Sequence, residues 1–265
     1  MIHDGVTAFP HAVDCLHHLR AAGKRTLFLS NAPRPSAVVR GLMRTMGIGD
    51  QLYDGLLTSG DAVRHAILEP PDGWWGRLGS RVFHLGPDRD QALLDGLPCQ
   101  RVARPAEADY VLNTGPDDHR NPTSLTEFKG ILHECARLKL PMICANPDLE
   151  VIRGGVRVLC AGALAVYYNE IGGDVRLVGK PDPAVYQHAL KPLGLPSSRV
   201  LAVGDSLRTD IAGAMATKID ACWVLGGLHG EALRHTEKPF NRELAEREAC
   251  SAGVAPVAMV ERFSW

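Results

Sequence analysis

The sequence predicts an α/β protein built on a parallel β-sheet. Short apolar runs alternate with stretches in which apolar residues recur at helical spacing, which is the pattern of successive strand–helix units. Two of these runs, 25–30 and 200–203, end in polar residues that a parallel sheet would place at its carboxyl edge. A turn-rich segment at 69–76 separates two series of such units. This break indicates that a second α/β region is inserted into the first.

Composition and charge narrow the class of protein. The chain has 265 residues, 45% hydrophobic and 22% charged, which is ordinary for a soluble globular protein of one large or two moderate domains. The net charge of −1 and the lack of a basic stripe argue against nucleic acid as a partner. No apolar run approaches a membrane span, and no signal-peptide pattern opens the sequence. Because the seven cysteines are scattered and never form C-x-x-C, we expect reduced thiols in a cytoplasmic protein.

The first strand–helix units bring polar side chains to the end of a strand. Pro10 begins a helix that Gly23 ends. The following run, 25–30, is predicted to be a buried strand that delivers Ser30 and Asn31 to its carboxyl end. A Ser hydroxyl and the next backbone N–H can both donate to a phosphoryl oxygen. Considered alone, Ser30 is better explained as a strand-end cap, and only the later motifs favour phosphate binding.

The next units continue the alternation. Arg34 lies in the loop after the first strand, where it either reaches a substrate anion or is simply exposed, and exposure is the expectation because charged loop residues usually are exposed. A helix ending at Gly47 follows, and then a strand at 56–58 whose successor helix is capped by 59–61.

The inserted region carries its own strands and helices. Strands are expected at 81–85, 109–113, 141–145 and 175–178, and helices at 124–138 and 161–170. We therefore place one domain at 1–65 and 172–265, and the inserted domain at 66–171. The strand at 141–145 runs into Ala-Asn-Pro-Asp, in which Asn146 and Asp148 either close an Asx-turn or select a substrate, with locally equal support.

Two motifs late in the chain carry the chemistry. The stretch 200–214 reads as a buried strand followed by Asp205 and Asp210, and carboxylates at the carboxyl end of a parallel strand suit a hard cation such as Mg²⁺. In isolation the first Asp would simply end a strand and the second would cap a helix. Lys180, which precedes a Pro-initiated helix one unit upstream, adds a cation. Together they predict a site suited to phosphoryl groups. A strand at 221–225 and a helix from Asn241 complete the chain.

These motifs resemble the haloacid dehalogenase superfamily. GKPDP at 179–183 and GDSLRTDI at 204–211 are similar to the third and fourth motifs of that family, and FLSN at 28–31 is similar to the second. The inserted α/β region resembles its C2 type of cap. Within the C2 group the chain looks like class IIA, the NagD-like and para-nitrophenylphosphatase-type enzymes. The resemblance covers essentially the whole chain and implies a Rossmann-like parallel-sheet core with an inserted α/β C2-type cap domain.

The resemblance also implies a reaction and a set of roles. A small phosphate monoester would be hydrolysed through an aspartyl-phosphate, with Mg²⁺ held by Asp205 and supported by Asp210. Lys180 would screen the charge repulsion between carboxylate and phosphate, while the Ser30 hydroxyl and the Asn31 amide would position the transferring oxygens.

The cap would act on the rest of the substrate. Asn146 and Asp148 would contact the leaving group. The expected partner is a small phosphorylated metabolite, with sugar phosphates, nucleotides and pyridoxal phosphate all open, and the resemblance allows a homodimer formed through the cap.

The nucleophile of the family has no match in this sequence. In the family an Asp opens a D-x-D-G-V segment at the end of the central strand, and residues 1–5 fit the stretch that follows it. Asp4 does not substitute, because no strand precedes it and the nucleophile position would then fall on Ile2. We therefore expect the chain as written to be truncated at its N-terminus, to lack turnover, and to lack a strand between 25–30 and 200–203.

Two functions from different classes follow. The first is a Mg²⁺-dependent phosphomonoesterase whose sequence here begins too late. The second is a non-catalytic relative that binds a phosphorylated metabolite or a protein partner. The presence of the full lysine and metal set favours the first, because a binding protein does not need it. The sequence gives far less support to a hydride-transfer or dehalogenase activity, since the chain has no dinucleotide loop and resembles C2-capped enzymes.

Overall fold

A computed structural model describes residues 1–3, 5–153, 156–226 and 240–265 of the protein. The chain packs as two compact units. Unit 1 comprises Met1–Leu29, Arg40–Leu56 and Lys180–Trp265, and unit 2 comprises Ser30–Val39 and Leu57–Gly179. These bounds differ from the domain limits at 66 and 171 expected from the sequence, which stay a prediction. Asp4 and the loop at 227–230 lie outside the described residues.

The elements alternate along the chain as expected. The helices are α1 (Pro10–Ala21), α2 (Ser36–Thr45), α3 (Ser59–Leu68), α4 (Gly73–Gly76), α5 (Thr126–Arg137), α6 (Ala161–Glu170), α7 (Pro183–Leu190), α8 (Ala212–Ala216) and α9 (Arg242–Ser251). The strands are β1 (Leu27–Ser30), β2 (Gly55–Thr58), β3 (Arg81–Leu85), β4 (Gln100–Val102), β5 (Tyr110–Asn113), β6 (Met142–Cys144), β7 (Glu150–Arg153), β8 (Val156–Leu159), β9 (Val175–Leu177), β10 (Leu201–Gly204), β11 (Asp220–Val224) and β12 (Ala258–Val260). No described helix is long and apolar enough to span a membrane.

Unit 1 contains a sheet of parallel strands. β10, β11 and β12 form a three-stranded parallel sheet in which Gly204 pairs with Trp223. β1 and β2 form a separate two-stranded sheet, so in the described chain β1 and β10 do not share a sheet. Leu201 of β10 is 54% exposed. The expectation that a strand is missing between 25–30 and 200–203 stays a prediction.

Unit 2 is a parallel sheet with helices on both faces. Its strand order is β4-β3-β5-β6-β9, and every neighbouring pair is parallel. Side chains of β5 alternate between two buried cores: Val111 packs with α5 and α6, while Tyr110 and Leu112 pack with α3, Trp74 and Trp75. Burial on both faces explains why this strand reads as a continuous apolar run. The predicted α/β class is confirmed.

Candidate active site

Lys180 is anchored by two oxygen acceptors within unit 1. Its Nζ donates to the carbonyl oxygen of Leu29 at 2.9 Å and to Oδ1 of Asp210 at 2.8 Å. The lysine and Asp210 side chains are only 14% and 16% exposed. Because water is largely excluded, the ion pair is less screened than a surface pair. Lys180 is therefore held as a fixed positive charge next to the residue that precedes Ser30.

Asp210 connects this lysine to the loop that carries Asp205. Its Oδ2 accepts hydrogen bonds from the backbone N–H groups of Asp205 at 3.2 Å and Ser206 at 3.1 Å. The approach is close: a Cβ added at Gly204 would lie 2.3 Å from the Cβ of Asp210. Both carboxylate oxygens of Asp210 thus have protein donors. Its geometry suits the outer-shell role expected for it better than direct coordination of a metal.

A wide turn and a buried tyrosine place Asp210. The turn Leu207–Ile211 has π geometry, and the Ser206 hydroxyl accepts from the N–H of Thr209 at its start. The Tyr186 hydroxyl, on α7, lies 2.9 Å from the carbonyl oxygen of Asp210 and 3.1 Å from that of Thr209. Burial raises the pKa of the Tyr186 phenol, so it stays a neutral donor.

Sequence reasoning missed Tyr186. No local pattern distinguishes a helical tyrosine that packs from one that donates to a distant carbonyl. The nearest signal is Gly213, where an added Cβ would lie 2.3 Å from the Tyr186 ring. A glycine at the start of a helix is thus explained by the close approach of this ring.

Asp205 presents its carboxylate at this site with 24% of the side chain exposed. Its Oδ2 forms an ion pair with the Met1 ammonium at 3.4 Å, which shows that the carboxylate accepts a cation here. The Nε1 of the fully buried Trp223 donates to the Asp205 carbonyl at 3.3 Å and fixes the backbone. Within the described chain no group of three or more His, Cys, Asp or Glu could hold a metal ion. Mg²⁺ commonly uses one or two carboxylates plus water and phosphate oxygens, so the pair of Asp205 and Asp210 still fits it.

Ser30 and Asn31 are placed in unit 2, in a hydrogen-bonded cluster. The Asn31 amide donates to Oδ1 of Asp148 at 2.9 Å, and the Ser59 hydroxyl donates to Oδ1 of Asn31 at 3.3 Å. The Ser30 hydroxyl accepts from the N–H of Ala32 at 3.1 Å, which is the strand-end turn weighed in the sequence. A Cβ added at Gly179 would lie 2.2 Å from the Ser59 hydroxyl oxygen. Phosphate binding by Ser30 and Asn31 stays a prediction.

Asn146 and Asp148 form the Asx-turn that was one of their two interpretations. Oδ1 of Asn146 accepts from the N–H of Asp148 at 3.0 Å. The turn is braced by α6, since the N–H of Gly162 donates to the Asp148 carbonyl at 3.1 Å. Their predicted role in substrate selection is a separate question and stays a prediction.

Arg34 departs from its expected exposure. Its guanidinium lies 3.5 Å from the carboxylate of Asp90, and the two side chains are 26% and 4% exposed. A Cβ added at Gly60 would lie 2.4 Å from the carbonyl oxygen of Pro33, so the glycine lets the loop that carries Arg34 approach α3 closely. The expectation of an exposed loop arginine was wrong. Burial of Asp90 without a counter-ion is costly, and the arginine offsets that cost.

The predicted residues thus fall into two groups. Lys180, Asp205 and Asp210 are brought together within unit 1. A second group shares hydrogen bonds within unit 2, and its members include Asn31, Asn146 and Asp148. Each group is built from residues that are far apart in sequence.

Comparison with known families matches both ends of the chain. A model described as haloacid dehalogenase-like hydrolase matches residues 1–99, and a HAD-hydrolase-like model matches residues 177–245. The second match contains the Lys180, Asp205 and Asp210 group.

Individual relatives span most of the chain. Chronophin from Bos taurus is 29% identical over 226 residues, which cover 78% of this chain and 72% of chronophin. A hydrolase of the haloacid dehalogenase-like family from Brucella suis 1330 has 32% identity and a TM-score of 0.81, covering 98% of this chain and 91% of its own. The p-nitrophenyl phosphatase from Archaeoglobus fulgidus has 24% identity and a TM-score of 0.70, with coverages of 99% and 92%, and shares the fold.

Proposed function

The chain belongs to class IIA of the haloacid dehalogenase-like hydrolases, and on that premise we propose that it is a phosphatase acting on a small phosphate monoester. The observation that carries the proposal is the position of Lys180, whose ammonium is fixed by Asp210 beside the loop of Asp205. A buried cation next to a carboxylate pair is the arrangement that a phosphoryl group requires. The relatives whose names include the word phosphatase support the same reaction class.

Lys180 would neutralise negative charge on the phosphoryl oxygens. Its ammonium donates to the Leu29 carbonyl and to Asp210, and these two contacts hold it in place for a substrate oxygen. Because the lysine is already immobilised, little reorganisation is needed when the substrate binds.

Asp205 would hold Mg²⁺, and Asp210 would fix the loop that presents it. The metal, when bound, would supply Lewis-acid stabilisation of the transferring phosphoryl group. Asp210 would act through its hydrogen bonds to the backbone N–H groups of Asp205 and Ser206, which set the direction of the Asp205 side chain.

Transfer through an aspartyl-phosphate needs a further carboxylate beside Asp205. Asp210 has donors on both oxygens, and Asp205 is assigned to the metal, so neither serves as the nucleophile. We propose that hydrolysis depends on such a further Asp. Without it, the same residues would bind a phosphorylated metabolite but not hydrolyse it, which is the second candidate function.

Calorimetric titration of the 265-residue chain with Mg²⁺ and inorganic phosphate tests the site without requiring turnover. Asp205→Asn should lower Mg²⁺ affinity by about tenfold or more, and Lys180→Ala should do the same for phosphate. Asp220→Asn, at an exposed position on β11, is the matched control and should leave both affinities unchanged. Unchanged affinities in Asp205→Asn and Lys180→Ala would contradict the proposed site.

A further inference from the structure

Unit 2 contains a polar cavity that the proposed reaction does not use. Its volume is about 400 Å³, and every residue that lines it lies between 83 and 134. The wall includes His84, Asp88, Arg101 and Asp118. A space of this size accommodates a small metabolite.

The cavity lies where a parallel sheet usually binds ligands. From β3 the chain passes to β4 on one side, and then returns to β5 on the other side of β3. β3 and β5 therefore flank the point where the strand order reverses, and ligands bind outside the carboxyl ends of such strands. The wall residues follow this rule, since His84 lies near the carboxyl end of β3 and Asp118 in the loop after β5.

His84 has an unused hydrogen-bonding atom. The residue is 7% exposed, and its Nε2 lies 2.8 Å from the Thr114 hydroxyl. Its Nδ1 is buried without a hydrogen-bond partner in the described structure. A buried polar atom left in this state is unfavourable unless something binds to it. A Cβ at Gly86 would lie 1.8 Å from the Thr114 hydroxyl oxygen, so the imidazole and the hydroxyl are tightly enclosed.

The wall carries three arginines and four acidic residues, so it suits a ligand that combines an anionic group with hydroxyl groups. Arg101 is 47% exposed, and its nearest carboxylate, Asp88, is 4.0 Å away, so the guanidinium can still donate two parallel hydrogen bonds to an anion. Asp88 and Asp118 offer carboxylate oxygens to hydroxyl donors. Two further wall arginines already have close carboxylate partners, Glu107 for Arg104 and Asp117 for Arg120.

We propose that this cavity binds a phosphorylated polyol, such as a sugar phosphate, at a site separate from the group around Lys180. Arg101 binds the phosphate, Asp88 and Asp118 accept from hydroxyl groups, and His84 Nδ1 makes a hydrogen bond to the ligand. All of these residues belong to unit 2, whereas Lys180 belongs to unit 1. The inference does not depend on the proposed phosphatase reaction.

Calorimetry with ribose 5-phosphate, the full 265-residue chain and a set of variants tests the proposal. In a Lys180→Ala background, which removes phosphate binding at the other site, one binding event should remain. Adding Arg101→Ala should weaken it about tenfold or more. Arg137→Ala, which removes an exposed arginine of α5 outside the cavity wall, should not change it. Free ribose and inorganic phosphate should each bind more weakly than the sugar phosphate.

The imidazole of His84 provides a second readout, which does not depend on replacing Arg101. In ¹⁵N NMR spectra of the Lys180→Ala chain, ribose 5-phosphate should shift the Nδ1 resonance of His84, assigned by its loss in His84→Gln. Loss of all ribose 5-phosphate binding in Lys180→Ala would overturn the proposal. So would binding that leaves the His84 Nδ1 resonance unshifted and is not weakened by Arg101→Ala.

Discussion

At the scale of single residues, Asp210 holds its neighbours in place and does not itself bind the metal. Its carboxylate accepts from Lys180 and from two backbone N–H groups. Asp210→Asn removes the charge and turns one acceptor into a donor, so we expect a loss of about 1–3 kcal/mol in the free energy of unfolding. Urea denaturation measures this loss.

Asp205→Asn is the matched comparison for that loss. Because the Asp205 carboxylate is the more exposed of the two, its replacement should change stability by less than Asp210→Asn does. Equal stabilities of the two variants would contradict the distinction between an organising and a metal-binding carboxylate.

Tyr186 carries a second prediction at this scale. Tyr186→Phe keeps the packing against Gly213 but removes the donor to the carbonyls of Thr209 and Asp210. We expect a loss of about 1–3 kcal/mol in unfolding free energy because the two carbonyl groups lose a buried hydrogen-bond donor. Tyr167→Phe, at a partly exposed hydroxyl on α6, should cost less. A Tyr186→Phe variant as stable as the wild-type chain would show that the hydroxyl does not hold this turn.

His84 makes stability depend on pH. Burial, and to a lesser degree the charge of Arg101, lower the pKa of this imidazole from 6.5 to about 4. Between pH 4 and 6.5 the unfolded chain binds a proton at His84 more readily than the folded chain does. The contribution of the neutral imidazole to the free energy of unfolding is therefore complete above pH 6.5 and is lost as the pH falls towards 4. The size is about 3 kcal/mol, since each pKa unit corresponds to about 1.4 kcal/mol.

Denaturation curves between pH 4 and 7 measure the His84 effect. His84→Gln should flatten the pH dependence of the unfolding free energy, whereas His133→Gln, at an exposed position on α5, should not. The same slope in both variants would contradict a buried neutral imidazole.

At the scale of elements, the junction between β10 and the turn after it sets the site. Gly204 ends β10 where any Cβ would collide with Asp210. Gly204→Ala should therefore cost about 1–3 kcal/mol, because the strand or the turn must shift. Gly41→Ala is the control, since Gly41 lies inside α2 with open space around its Cβ, and alanine there should stabilise the helix. Thermal denaturation distinguishes the two, and a Gly204→Ala variant with unchanged Tm would refute this reading of the junction.

Local patterns predicted the long elements and missed the short ones. β3, β5, β6, α5 and α6 fall within a few residues of their predicted positions because each contains a run of apolar residues that is long enough to stand out. β4 was missed because Gln100 and Arg101 are exposed on a three-residue edge strand. The antiparallel pair of β7 and β8 was missed because each strand is only four residues long and carries charged residues.

The site shows the same division. The motifs at Lys180 and Asp205 were read directly from the sequence because their residue types and spacing are local. The contacts of Asn31 with Asp148 and of Arg34 with Asp90 join residues that no local pattern relates. Such contacts are set by packing, which is why the exposure of Arg34 was predicted wrongly.

At the scale of the whole molecule, the proposal distinguishes binding from turnover. We expect the 265-residue chain not to hydrolyse para-nitrophenyl phosphate with Mg²⁺, because the Asp210 carboxylate is held by Lys180 and the Asp205 carboxylate is assigned to the metal. Robust Mg²⁺-dependent hydrolysis by the 265-residue form, free of contaminating phosphatase, would contradict this assignment.

The most direct measurement of the central claim is a crystal structure of the 265-residue chain with Mg²⁺ and inorganic phosphate. We expect a metal bound by the Asp205 carboxylate in place of the Met1 ammonium, and a phosphate oxygen within hydrogen-bond distance of Lys180 Nζ. Asp210 should keep its bonds to Lys180 and to the backbone of Asp205. A metal and a phosphate bound elsewhere, with the Lys180 and Asp205 side chains unchanged, would contradict it.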